Sequence, residues 1–454
     1  QNDPLTEQIT AAGSGGDPAG GLAKAVEMCN NNGHCRKFDA GTMCPSFRVT
    51  RDEQHVTRGR ANTLRLAMSG QLAGVDGDDP LASDAVAAAL DLCVGCKGCK
   101  RECPTGVDMA RMKIETTARR KARTGHSLKD RLVAALPELA PLLSRVPALA
   151  NLRNHSPFLA RLGERWLGLS AARSLPRWRS DSFERMAPTL GLVDAAAALA
   201  APKAVVLFVD TFNGAFEPEN AVAAVRVLQA AGYAVHVARR HGRALCCGRT
   251  YLAAGMPAQA KRKARDLLDA LLPFAARGIA VVGLEPSCLL TMRDEMRVMG
   301  FGEDAETVAA QALLFEEFVM REVRAGRFAL DLKPAQAAFL VHGHCHQKAF
   351  GAMPPVLDAL RLIPGAVPKT IESSCCGMAG SFGYEAEHHA VSMQMAELSL
   401  LPAIRAEPDA WIVADGTSCR HQIADGSGRE ARHVARVLAD HLARPRDSPV
   451  GSDP

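Results

Sequence analysis

The stretch Cys93-Val94-Gly95-Cys96-Lys97-Gly98-Cys99-Lys100-Arg101-Glu102-Cys103-Pro104 decides how this chain is read. Its first three cysteines recur at three-residue steps, so a tight, glycine-containing loop can wrap three thiolates around one inorganic cube. The fourth, set before proline, points away to serve a second cube. Zinc knuckles favour two separated pairs, and buried free thiols need no fixed spacing. A triplet followed by Cys-Pro fits an iron–sulfur site better than either.

Upstream lie Cys29-Asn30-Asn31-Asn32-Gly33-His34-Cys35 and Gly41-Thr42-Met43-Cys44-Pro45-Ser46. Laid on the same pattern, Cys29 and Cys35 take the first and third positions, Asn32 replaces the second, and Cys44-Pro45 is a delayed fourth. By crossover of the fourth ligands, Cys93, Cys96, Cys99 and Cys44 are expected to hold one complete 4Fe-4S cluster. Cys29, Cys35 and Cys103 are left for the other. Three thiolates suit either a 3Fe-4S cluster or a 4Fe-4S cluster completed by His34, Asn32 or Asp39. Asparagine is a poor iron ligand, which favours three irons, whereas a bound His34 would favour four. Between the motifs, Leu81 to Leu92 offers Ser83 or Asp84 as an N-cap before a run of Ala and Leu, so the loops are expected on helices. This arrangement resembles the helical two-cluster ferredoxin domain of succinate dehydrogenase iron–sulfur subunits, without their plant-type cluster.

At 454 residues and 47% hydrophobic content the chain has material for about three domains of ~150 residues each. Fourteen cysteines are too few for a disulfide scaffold at this length, and their grouping as CxxC, Cys-Cys-Gly and Pro-Ser-Cys reads as metal ligation in a reducing compartment. No secretory signal opens the sequence and no apolar run reaches spanning length, so the expected place is the cytoplasm, with peripheral contact at the inner membrane compatible. A net charge of +5 gives no reason to invoke nucleic acid. Lys97, Lys100, Arg101, Arg111, Lys113, Arg119, Arg120, Lys121 and Arg123 crowd the cysteine run. They would stabilise an anionic cluster and steer an acidic partner, or simply form a solvated helical face.

Residues 1–21 lack an initiator Met and are rich in Gly, Ala and polar residues; they read as a linker, which makes the chain a piece of a longer polypeptide or the follower of another domain. A helical iron–sulfur domain is expected over 22–125 and a helical connector over 126–200. In the connector Pro137, Pro141, Pro147, Pro157 and Pro176 break the chain into short helices. Its Leu-rich faces would be buried in a core or docked on a partner or membrane surface.

An internal repeat follows over 201–332 and 333–440, with a tail at 441–454. The first copy opens with an apolar strand from Ala204 to Thr211, runs through a helix near Glu219 to Ala231, and reaches Cys246-Cys247-Gly248. It closes on a second strand, Ile279 to Leu284, then Glu285-Pro286-Ser287-Cys288. The second opens Phe339-Leu340-Val341-His342-Gly343-His344-Cys345, reaches Cys375-Cys376-Gly377 and closes Trp411-Ile412-Val413-Ala414-Asp415-Gly416-Thr417-Ser418-Cys419. Thr211 aligns with Cys345, Cys246-Cys247 with Cys375-Cys376, and Cys288 with Cys419. Apolar strands separated by amphipathic helices predict a parallel sheet in each copy, with cysteines at the strand ends. The expected fold class is α + α/β: a helical two-cluster domain followed by two α/β Cys-Cys-Gly repeats facing each other.

The ferredoxin pair followed by two Cys-Cys-Gly repeats resembles the iron–sulfur part of bacterial FAD-binding D-2-hydroxyacid dehydrogenases of the D-lactate or D-2-hydroxyglutarate type. It is also similar to the glycolate oxidase iron–sulfur subunit, the C subunit of anaerobic glycerol-3-phosphate dehydrogenase and, in its repeats, the B subunit of heterodisulfide reductase. Val209-Asp210-Thr211-Phe212, Phe216-Glu217-Pro218 and Gly283-Leu284-Glu285-Pro286-Ser287-Cys288 carry this resemblance, which runs from about residue 24 to 440. It implies electron transfer from FAD on a domain or subunit outside this sequence, where a 2-hydroxyacid is oxidised, to a quinone or carrier acceptor. No catalytic residue for C–H chemistry is then expected here. Homo-oligomerisation is compatible with this reading. The resemblance also implies a further cluster or zinc at Cys345, Cys375, Cys376 and Cys419, with His344, His346 and His421 close in sequence. In the first copy, Cys246, Cys247 and Cys288 would hold a weakened site or none, since Thr211 departs from the pattern. A tight turn with buried thiols is the plain alternative for either copy. Heterodisulfide reductase-like thiol/disulfide catalysis is the alternative function, and the missing extra CxxC cysteine argues against it.

Overall fold

The computed structural model describes residues 21–38, 41–72 and 79–443. The linker expected over 1–21, the tail over 441–454 and the candidate ligand Asp39 lie wholly or mainly outside the described residues.

The cysteine loops are mounted on short helices: α1 (Leu22–Glu27), α2 (Pro45–Thr50), α3 (Thr57–Met68), α4 (Asp84–Asp91), α5 (Gly98–Glu102) and α6 (Met109–Thr124). Ser83 caps α4 by accepting the Val86 N–H, and Asp108 caps α6 through the Arg111 N–H. The core of this domain places Val26, Leu64, Leu81, Val107 and Met109 against Cys29, Cys35, Cys44 and Cys99, so the thiols form part of the apolar interior. The basic residues beside the cysteine run are mostly paired internally: Lys97 with Asp294 and Glu295, Arg119 with Glu115 and Asp79, and Lys121 with Asp130.

The connector forms α7 (Leu128–Ala134), α8 (Leu136–Leu143), α9 (Pro147–Ala150), α10 (Leu152–His155) and α11 (Pro157–Leu167). Pro137, Pro147 and Pro157 sit in first turns, where a missing N–H costs nothing. Pro141 is different. It lies inside α8, and the helix survives because only one intrahelical bond is forfeited in so short a segment. The Leu-rich faces are not all buried among the described residues: α11 presents Phe158, Leu162 and Trp166 at four-residue steps, with Phe158 73% and Trp166 75% exposed.

Each repeat contains a four-stranded, all-parallel sheet. The first is ordered β2-β1-β3-β4 from β1 (Ala204–Phe208), β2 (Ala234–Val237), β3 (Val281–Gly283) and β4 (Ala312–Leu314). The second is ordered β6-β5-β7-β8 from β5 (Phe339–Val341), β6 (Pro368–Thr370), β7 (Trp411–Val413) and β8 (Ala431–Arg432). The apolar run expected to be a strand through Thr211 ends at Phe208, because Asp210 turns the chain and accepts the Phe212 and Asn213 N–H groups at 2.9 and 3.1 Å, starting a helix. Glu285 does the same after β3, accepting from the Ser287 N–H. One apolar core joins the two sheets, with Val205 and Leu207 in the same cluster as Phe339, Val341 and Val413. Across this contact the Thr417 N–H donates to the Glu285 carboxylate at 2.8 Å. Among the described residues no helix is long and apolar enough to cross a membrane.

Candidate iron–sulfur and thiolate centres

Cys44, Cys93, Cys96 and Cys99 line one cavity together with Thr57, Arg60 and Met109. Two features of the chain shape it. Cys44 and Lys97 both adopt the left-handed conformation, with φ of 50° and 58°, which is costly for residues bearing a Cβ and turns their neighbours into the loop. Gly98 lets the triplet approach the upstream motif: a Cβ there would lie 3.0 Å from both the Met43 nitrogen and the Thr42 carbonyl carbon. The sulfurs are supplied with donors. Cys44 Sγ accepts from the Thr57 N–H at 3.2 Å and lies 3.0 Å from Thr57 Oγ1, and Cys99 Sγ accepts from the Met109 N–H at 3.4 Å. Burial pushes the Cys44 and Cys99 thiols up, with Arg60 and Thr57 opposing it at Cys44. Four thiols around one cavity, with N–H groups aimed at sulfur and a cation beside them, suit an anionic cluster that needs thiolates away from water.

Cys29 and Cys35 lie in the same core as Cys44, and Cys103 sits at its edge, where Cys103 Sγ is 3.3 Å from Thr105 Oγ1. Cys35 is pushed up to about 11 by burial and by the neighbouring Cys44 and Cys29. Asn32 spends its side chain locally, accepting the His34 N–H at 2.8 Å and donating to Asn30 at 2.6 Å. Both Asn32 and His34 are exposed.

In the second repeat, Cys345, Cys375, Cys376 and Cys419 form a continuous, buried chain of neighbours. Cys345 is drawn down to about 6, first by the thiol hydrogen bond from Cys375, while Cys376 is lowered by its bonds from Cys375 and Cys419. Cys96 packs in the same apolar cluster as these four, and Cys345 joins burial in raising its thiol. The cluster-loop cavity and the second repeat are therefore adjacent. The three histidines favoured by sequence proximity are engaged elsewhere. His344 caps the helix Cys345–Ala349, His346 Nε2 lies 3.1 Å from Gly95 O, and His421 Nδ1 lies 2.6 Å from the Tyr384 hydroxyl. The imidazole beside the thiols is His342, which the sequence reading passed over: one ring nitrogen lies within 4.8 Å of the sulfurs of Cys376 and Cys419. Its signal was a polar residue directly after the apolar β5, at the position where the first repeat has Phe208.

The first repeat brings Cys246, Cys247 and Cys288 into mutual contact but adds Asp210 beside Cys288 in place of a further thiol or imidazole. Burial and the charge of Glu285 raise Asp210 to about 6.

Comparison with known proteins finds family matches in three segments of the chain. A 4Fe-4S dicluster domain matches residues 25–107, and a cysteine-rich domain matches twice, over 209–293 and 339–424. The D-2-hydroxyglutarate dehydrogenase of Escherichia coli (strain K12) is 26% identical over 91% of this chain and 43% of its own length. The C subunit of anaerobic glycerol-3-phosphate dehydrogenase from the same organism is 26% identical over 74% of the chain and 81% of its length. The probable glycolate oxidase iron-sulfur subunit of Bacillus subtilis (strain 168) is 26% identical over 88% of the chain and 89% of its length. The chain thus spans less than half the length of the D-2-hydroxyglutarate dehydrogenase it matches. These matches assign the chain to the iron–sulfur electron-transfer proteins that join a 4Fe-4S dicluster domain to a pair of cysteine-rich domains.

Proposed function

We propose that this chain carries electrons for an FAD-dependent 2-hydroxyacid dehydrogenase, its donor being D-lactate, glycolate or D-2-hydroxyglutarate and its acceptor a quinone or a carrier. The observation that carries this reading is the cavity lined by Cys44, Cys93, Cys96 and Cys99, which abuts the thiols of the second repeat through Cys96 and Cys345. A flavin on a partner domain or subunit supplies two-electron chemistry at the substrate carbon, and clusters bound here pass electrons singly. The chain's own residues do the rest. Cys44, Cys93, Cys96 and Cys99 hold one 4Fe-4S cluster; Cys29, Cys35 and Cys103 hold a second, with three or four irons; the second repeat holds a third centre. Thr57 and Met109 direct N–H groups at sulfur and favour the more anionic, reduced state.

Thiol/disulfide catalysis at the Cys-Cys-Gly sites is the weaker reading. Cys375 and Cys376 are each 3% exposed and Cys419 2%, so a disulfide substrate has no open approach to them.

Iron and acid-labile sulfide analysis of anaerobically purified chain, with electron paramagnetic resonance of the reduced protein, tests the proposal. About seven or eight irons in the dicluster domain are expected, reducible by a physiological donor. Four irons or fewer in fully loaded protein would overturn it.

A further inference from the structure

Three carboxylates of the first repeat reach across to the second, and each bond lands within two residues of a cysteine. Glu285, 3% exposed, accepts the Thr417 N–H at 2.8 Å, two residues before Cys419. Glu217 takes Arg420, the residue after Cys419, in a two-point pair at 2.7 and 2.6 Å. Glu316, 1% exposed, accepts from Gln347 Nε2 at 2.7 Å, two residues after Cys345. Gln347 Oε1 in turn accepts the His344 N–H at 3.0 Å, so the turn that delivers Cys345 is held from both sides. Glu285 and Glu316 each stand two residues past the end of a strand, β3 and β4, and Glu217 follows the short helix after β1. The sheet of the first repeat thus presents these groups to its neighbour.

The second repeat does not return the contact. Counting from the aligned pairs Thr211–Cys345 and Cys288–Cys419, Glu217 falls on Gly351 and Glu285 on Gly416. Neither glycine has a side chain to reach back with, and at Gly416 a Cβ would lie 2.3 Å from His344 Cδ2. Two similar folds packed face to face would make matching contacts in both directions; here they run one way, toward the repeat with four thiols.

We propose that Glu217, Glu285 and Glu316 are positioning residues, through which the first repeat, itself one thiol short at Thr211, holds the Cys345 and Cys419 segments in the arrangement a thiolate centre needs. The inference rests on the reading that the second repeat holds such a centre, and not on the clusters of the dicluster domain. Thiolates brought together repel one another, so the segments carrying them must be fixed by bonds of their own, and charge-assisted and two-point bonds fix direction best.

The test is alkylation of the native full chain by iodoacetamide, read cysteine by cysteine by mass spectrometry, together with release of zinc and iron to a chelator. Glu217→Ala and Glu285→Ala each cut one contact from the first repeat. Thr417→Pro cuts it from the other side: Thr417 is the first residue of the helix Thr417–Ser427, where proline fits, so the N–H is lost while Glu285 stays. Each variant should release the metal of the second repeat about 10- to 100-fold more readily, as loss of a group behind a ligand does, and speed alkylation of Cys419 by a similar factor. The irons of the dicluster domain should be unchanged, and in Thr417→Pro so should Cys246 and Cys288. Glu285→Gln, whose amide oxygen still accepts the Thr417 N–H, should behave as the wild type. If the alanine variants fail to fold, Thr417→Pro and Glu285→Gln decide on the same readings. Cys419 unchanged in Thr417→Pro, or Cys246 and Cys288 opening as far as Cys419 in that variant, would overturn the assignment. Wild-type chain with no metal beyond the dicluster irons, but with Cys419 opened by these variants, would support it and sink only the third centre of the electron-transfer reading.

Discussion

Thr57 gives Cys44 an N–H donor and a hydroxyl 3.0 Å from its sulfur that donates once the sulfur is a thiolate, and neither can be seen from cysteine spacing because Thr57 stands 13 residues away on another helix. A donor to a ligand sulfur stabilises the reduced state, so Thr57→Val, which keeps the shape and the N–H but removes the hydroxyl, should make the adjoining cluster harder to reduce. One hydrogen bond of roughly 0.5–1.5 kcal/mol corresponds to a midpoint roughly 20–60 mV more negative. Redox titration followed by electron paramagnetic resonance measures it, and an unchanged midpoint would show that the hydroxyl does not reach the sulfur. The cysteines themselves were legible because inorganic clusters impose spacing on a loop. So was Gly377, whose φ of 89° and whose approach to Ser392 O, 2.3 Å from any added Cβ, leave no room for a side chain. The unread residues, Thr57, Arg60 and His342, share a different property: their role is set by what packs against them, and each looks ordinary in its own segment.

At the scale of elements, the end of α4 meets the loop ahead of the helix His389–Glu397. His388 Nε2 lies 2.9 Å from Asp91 and its Nδ1 3.1 Å from Glu385, which Lys129 also pairs at 3.2 Å. Both ring nitrogens are used, so the neighbouring Glu385, Glu387 and His388 form an ion-pair joint and not a metal site. Burial would lower the histidine, but the two carboxylates outweigh it and raise it from 6.5 to about 9. A group raised on folding stabilises fully below its unfolded pKa, and the benefit fades as pH climbs through the folded value. The window here is therefore about pH 6.5 to 9. Because Asp91 is half exposed and screened, the joint is worth about 1–2 kcal/mol. Denaturation midpoints against pH should fall across this window in the wild type and stay flatter in His388→Asn. Equal slopes would dismiss the joint. Sequence pattern found β1, β3, β5 and β7 because each is apolar and central. It missed the outer strands β2, β4, β6 and β8; of these, β6 reads Pro-Lys-Thr and is largely exposed, and β8 is two residues long.

In the whole molecule the cluster loop is where the domains meet. Lys97, 3% exposed in its side chain, pairs with Asp294 and with Glu295 at 2.6 Å, and Arg249 reaches the same Glu295 at 3.0 Å. Arg249 follows Cys246-Cys247-Gly248 directly, and its guanidinium lies 3.4 Å from His346, the residue that touches Gly95 O in the cluster loop. The dicluster domain and both repeats thus converge on three buried charges, the quarter-exposed Arg249 and one imidazole. Such charges are tolerated only as a set: burial opposes ionisation of Asp294 and Glu295, and the adjacent cations hold Asp294 well below the usual carboxylate range and lower Glu295 too. Lys97→Met removes the shared cation while leaving its aliphatic bulk. Asp294 keeps Lys100 and Glu295 keeps Arg249, so the loss should be about 3 kcal/mol, at the lower end for breaking a buried pair. More telling than the size is the shape of unfolding. With the network intact the domains should melt in one calorimetric transition, and Lys97→Met should split it, the dicluster domain parting from the repeats. A single transition displaced without splitting would mean that the apolar contact around Cys96 and Cys345, and not the charge network, binds the cluster loop to the second repeat.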